Sequence, residues 1–221
     1  MEITDKKITK RQLSEAKISN ASYYNCAFER IQLDNVNLRD CEFEKCRFIN
    51  CSLKTLKLDF FKLIDCKFKN CLLQGVNASD IMFPCTFSLD NCEVRFVDFV
   101  GLRLQKSSFL SSIFRDCLFE ETDLRKSDFT GSEFYNTEFR HCDLSHCDLS
   151  HCDLSHCDLS HCDLSHCDLS HCDLSHCDLS HCDFSMTDEL DINHEINNLF
   201  SIKIPQDAGS KILKRMGIII S

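Results

Sequence analysis

The chain has 221 residues, with 18 Cys and 18 Phe but only 5 Gly, 2 Pro and no Trp, and a formal net charge of −10. That balance argues against a basic nucleic-acid-binding surface and favours a basic partner. No apolar run reaches the roughly eighteen residues that span a bilayer. Few Gly and Pro also mean that frequent turns, if present, are made by other residues.

The opening stretch, MEITDKKITKRQLSEAK, lacks the hydrophobic centre of a signal peptide, so a cytoplasmic protein with reduced thiols is expected. An apolar residue then recurs every fifth position: Leu13, Ile18, Tyr23, Phe28, Leu33, Leu38, Phe43, Phe48 and onward to Phe83. Two residues before each stands a small one, such as Ala16, Ala21, Cys26, Cys41 or Cys46. A period of five fits neither a helix nor a strand. It does fit a four-sided coil of about twenty residues, with two residues of each unit inward and coils stacked ~4.8 Å apart.

The step from Phe83 to Leu89 is six residues, so one extra residue enters near Pro84-Cys85-Thr86. The frame then resumes through Val94, Phe99, Leu104 and Phe109. It reaches an array, residues 141–185, that reads HCDLS eight times and then HCDFS. The expected fold is a right-handed quadrilateral parallel β-helix over 1–185, with a different C-terminal segment over 186–221.

Seventeen of the 18 Cys fall on the small inward position, Cys85 being the exception, and there is no CxxC pair. They read as core, because free Cys packs as a small hydrophobe. The array His would form outward columns, as at His141, His161 and His181, but nothing closes a four-ligand metal site. No metal, cofactor or catalytic residue is expected. Every Ser, His and Asp of the array is repeated identically, whereas an active site needs a unique place.

The charge is concentrated. Asp143, Asp148, Asp153, Asp158, Asp163, Asp168, Asp173, Asp178 and Asp183 give the array −9 with no Lys or Arg. Spread over ~11 Å of rod, this is about one charge per 1.2 Å, against ~1.7 Å along duplex DNA. These nine Asp are the candidate partner-binding residues.

After Phe184 the five-residue frame stops. Residues 207–216, DAGSKILKRM, read as a short helix ending at Gly217, with Ile212, Leu213 and Met216 on its apolar side. Ile218, Ile219 and Ile220 follow. This apolar segment either folds over the last coil or pairs with a second subunit.

The repeat is similar to the pentapeptide-repeat signature A(D/N)LXX over roughly residues 8–185. The ending KILKRMGIII and the opening KKITKRQLSEAKISNASYYNCAFERIQLDNVNLRDCEF resemble the two ends of the Qnr quinolone-resistance proteins. That resemblance implies a rod-like homodimer joined at its C-termini, with Ile212, Leu213, Met216 and Ile218–Ile220 at the interface. It also implies binding to DNA gyrase and topoisomerase IV by DNA mimicry, and protection of these enzymes from quinolones. Two departures stand out: long projecting loops are absent, and the array is nearly perfect. The competing reading is a scaffold solenoid with an unrelated protein partner.

Overall fold

The computed structural model describes residues 1–8, 18–187 and 190–218; Leu13, Ala16, Ile219 and Ile220 lie outside these. Within them the chain winds as the period of five requires. Short strands from successive coils pair in parallel and build the walls. One sheet holds Glu2–Thr4, Ser22–Tyr24, Glu42–Glu44, Phe61–Ile64 and Ile81–Met82. A second runs from Lys7–Ile8 to Ser108–Leu110, a third from Ser52–Lys54 to Glu133–Tyr135, and a fourth from Asp98–Val100 to Glu138–Arg140.

The register fixes the coil length. Partners lie 20 residues apart, as in Phe48↔Phe68, and 21 apart across the insertion, as in Leu72↔Glu93, then 20 again at Phe114↔Phe134. The extra residue is absorbed where the sequence frame slips, beside a cis Phe83-Pro84 peptide. There Thr86 Oγ1 accepts the Asp65 N–H at 2.8 Å and donates to its carboxylate at 3.0 Å, so the slip leaves no orphaned donor at Asp65. Cys85 is buried as well, contrary to its out-of-frame position; the half-exposed thiol belongs instead to Cys172.

The interior is a stack of rings and branched chains. Phe28, Phe48 and Phe68 stack at 4.6 Å steps, and Phe99, Phe119 and Phe139 at 4.5 and 4.7 Å. This is the strand spacing itself, so each backbone pairing brings one ring face to face with the next. In the array Leu takes over, and Leu144 to Leu164 are buried alongside their Cys neighbours.

The corners explain the scarcity of glycine. Outside the segment around Ala78 and Phe83, the residue two after a central apolar position is left-handed along the repeat, with φ of 50° at Asn25, 54° at Lys45, 56° at Asn50 and 60° at His146. That conformation costs a non-glycine residue about 1 kcal/mol. Most corner N–H groups offset the cost by donating to the next coil, Asn25 to Glu44 O and His146 to Ser165 O, both at 2.9 Å.

The sequence pattern stops after Phe184, yet coil pairing continues: Asp178 bridges Asn198 and Asp183 bridges Lys203. Leu199, Ile202 and Ile204 pack on the core in frame. In the sequence frame the interruption falls at Glu189 and then His194, polar residues where an apolar one is due, and His194 sits partly buried with its Nδ1 lacking a hydrogen-bond partner among the described residues. Helix α1, Gln206–Arg215, closes this end. Ala208 is buried and Gly209 faces Ile204, while Arg215 pairs with Asp191 at 2.6 Å and donates to the Ile192 carbonyl at 3.2 Å. Gly217 (φ 75°) ends the helix; its N–H reaches Lys214 O and that of Ile218 reaches Leu213 O, the paired bonds of a Schellman motif.

Candidate functional site: the acidic array

Each array unit is a closed turn. In every unit but that of Leu174 the N–H three residues on returns to the central carbonyl, as from Cys147 to Leu144 at 3.1 Å, with the third position left-handed; Cys177 N–H instead donates to Asn197 Oδ1 at 2.8 Å. Asp completes it. In all nine units its Oδ1 accepts the backbone N–H of the Ser two residues on, at 2.8 to 3.1 Å. The nine Asp are therefore turn-capping groups as well as surface charges, a role that spacing alone does not reveal. Asn37 and Asp128 make the same bond outside the array, which is the physical content of the Asp/Asn preference in the repeat.

Capping alters the carboxylates. At Asp168 the Ser170 N–H and then its hydroxyl hold the carboxyl below its ordinary range, and at Asp173 the Ser175 hydroxyl and N–H do the same. At Asp183 partial burial pushes upward, but Lys203 and Ser185 outweigh it and the net shift is down. These groups keep their charge to lower pH than a free Asp.

The stacking places the charge on all four walls. Asp143, Asp163 and Asp183 form one column, Asp148 and Asp168 a second, Asp153 and Asp173 a third, Asp158 and Asp178 a fourth. Asp123, Asp128, Glu133 and Glu138 extend these columns by one coil. The structure thus joins the predicted Asp into ladders but not onto one face. Three carry basic partners: Asp143 with Arg125 at 3.3 Å, Asp158 with Arg140 at 3.1 Å and Asp183 with Lys203 at 2.8 Å. The other six have no Lys or Arg partner among the described residues.

The imidazoles stack along the corners at 4.4 to 4.8 Å, nearly parallel, as in His146 on His166 and His156 on His176. Parallel faces do not aim two ring nitrogens at one point. Among the described residues no group of three His, Cys, Asp or Glu could hold a metal ion. The cysteines do a different job: apart from Cys85 and Cys172, their thiols donate to the carbonyl of a central residue one coil back, as from Cys162 to Phe139 at 3.0 Å and Cys182 to Leu159 at 2.8 Å. Ser127 and Thr122 make the equivalent bonds to Leu104 and Phe99. Burial pushes the Cys152, Cys167 and Cys182 thiols up to about 12.

At the C-terminal end, Ile212 and Leu213 are half-buried, whereas Met216 and Ile218 are exposed. Phe200 lies against the edge of His181, and it too is largely exposed. No helix among the described residues is long and apolar enough to cross a membrane.

The family pattern described as pentapeptide repeats matches residues 12–50, 112–150 and 147–185. Protein McbG of Escherichia coli is 66% identical over 220 residues, spanning 100% of this chain and 99% of that protein. Among solved structures, a trypsin-treated variant of QnrB1, a plasmid-mediated fluoroquinolone resistance protein, is 17% identical with a TM-score of 0.39, covering 100% of this chain and 99% of that one. HetL, a pentapeptide-repeat protein involved in heterocyst differentiation regulation from the cyanobacterium Nostoc sp. strain PCC 7120, is 15% identical with a TM-score of 0.29, covering 88% and 90%. With its twenty-residue coils, left-handed corners and full-length match to a curated relative, the chain belongs to the pentapeptide-repeat family.

Proposed function

We propose that this protein binds a type II topoisomerase, DNA gyrase or topoisomerase IV, in place of the DNA segment the enzyme grips, and thereby protects it from quinolones. The supporting observation is the acidic array: carboxylate columns repeating at one-coil intervals, six of nine Asp without a basic partner among the described residues, on a rod with no comparable basic section. Fixed charge at that density suits a surface built to hold a polyanion. The reading is of a binding protein in the cytoplasm, where 18 thiols stay reduced. It also takes the protein as a homodimer through the C-terminal end, where Met216 and Ile218 stand exposed beside half-buried Ile212 and Leu213. Ile219 and Ile220, assigned to the same interface, lie outside the described residues.

A scaffold role is favoured by one observation: the Asp side chains serve the turns and point from four walls, as a solubilising surface does. Replacing the six unpaired Asp by Asn separates the two readings, because Asn keeps the capping oxygen and removes the charge. Topoisomerase binding that weakens at least about tenfold at low salt supports mimicry, and unchanged binding removes it.

A further inference from the structure

Along most of the array, the N–H of each central Leu and corner His donates to the coil below. Leu164 reaches Asp183 O at 2.7 Å and His166 reaches Ser185 O at 3.1 Å. Farther round, Leu179 reaches Asn198 O at 3.0 Å and His181 reaches Phe200 O at 2.9 Å. Between them the pattern lapses. Among the described residues, the N–H groups of His171, Leu174 and His176 have no backbone acceptor, and the Cys172 carbonyl receives no N–H from the next coil. Asn193, which the register would set under Asp173, forms no bridge with it.

The core beneath is nonetheless closed, because Leu190 and Ile192 are buried and plug the interior. Among the described residues, what stays open is the strand edge alone. An open cleft of about 790 Å³ borders it, lined by His166, Asp168, His171, Cys172, Leu174 and Met186 among others. Proteins ordinarily guard such edges with Lys, Pro, a bulge or a covering element. Here the neighbouring side chains are Asp148, Asp153, Asp168 and Asp173, none with a Lys or Arg partner among the described residues, together with partly exposed Cys172 and exposed Met186.

We propose that the edge from His171 to His176 accepts an extended, basic segment of a partner protein as an added β-strand. Main-chain bonds to the N–H and carbonyl groups that have no backbone partner among the described residues would supply affinity. Alternate Lys or Arg side chains would meet the acidic columns while the intervening apolar ones enter the cleft. The inference does not depend on the partner being a topoisomerase.

The test uses the full chain and a dye-labelled alternating Lys/Val heptapeptide, with a version of equal charge N-methylated along one edge and another N-methylated along the other. The expected result is micromolar binding of the unmodified peptide, and about tenfold or greater weakening for one N-methylated version. Hydrogen exchange at His171, Leu174 and His176 should slow when the unmodified peptide binds, and D168N with D173N should weaken it. Equal affinity for all three peptides, or no binding, overturns the proposal. Protection of those amides without peptide that grows with protein concentration also overturns it, because a second copy then holds the edge.

Discussion

At Asp148 and Asp168 one carboxylate caps a turn and carries a charge, and substitution can separate the two. Asn at either site keeps the Oδ1 that accepts the Ser N–H and should shift the urea midpoint little. Ala should cost about 1 kcal/mol, the net worth of one such bond. The acid limb gives an independent check. Asp168 and Asp173 are held below the ordinary carboxyl range in the fold, so their contribution is complete above the unfolded value of ~3.9 and is lost as pH falls through the folded value. Urea midpoints taken below about pH 4 should therefore drop less for the D168N/D173N variant than for the parent; equal drops would contradict the capping account. The cysteines yield a parallel test. Cys162→Ser preserves a donor for the Phe139 carbonyl, as Ser127 does for Leu104, and should hold more of the stability than Cys162→Ala, by about 1 kcal/mol. The buried Cys152, Cys167 and Cys182 thiols, raised to about 12, should resist iodoacetamide at pH 8 in the fold and react in urea.

Among the elements, the walls were legible and the corners were not. Phe28, Phe48 and Phe68 announce a stack because their spacing of twenty equals one coil, and the slip near Cys85 announces the 21-residue register. Nothing in a single unit announces that His146 is left-handed, because the strain is offset by a bond to a residue one coil away. The Asp caps were hidden for a related reason: an outward carboxylate reads as solvation unless the turn geometry is known. The return of the frame at Leu199 and Ile204 had a signal, two apolar residues five apart, masked by Glu189 and His194 at the positions before them. Helix α1 was legible within a residue of its bounds because Gly217 marks its end. Its anchoring by Arg215 to Asp191 and the Ile192 carbonyl was not, since those partners lie on the far side of the break. Gly217→Ala, forced into a φ of 75°, should loosen the end of α1 at a cost of about 1 kcal/mol, read as faster amide exchange at Met216 and Ile218.

For the molecule as a whole, identical units make length and angle separable. Deleting residues 146–165 removes one full coil and leaves every column aligned, so the variant should fold with its C-terminal end facing as before. Deleting residues 146–150 turns that end by a quarter of a circuit while removing only one Asp. A partner that contacts the array alone would bind the quarter-turn variant at least as well as the full-coil variant, which loses four Asp. One that spans the array and either end would discriminate against the quarter-turn variant, and a binding assay on the pair distinguishes these arrangements.

The most direct test of the proposed function is gyrase-catalysed supercoiling in the presence of ciprofloxacin while the purified protein is titrated. The account predicts that supercoiling is restored as protein is added, and that the variant with Asn at Asp148, Asp153, Asp163, Asp168, Asp173 and Asp178 restores it far less. Supercoiling that stays blocked at every protein concentration, or that the Asn variant restores equally well, would contradict it.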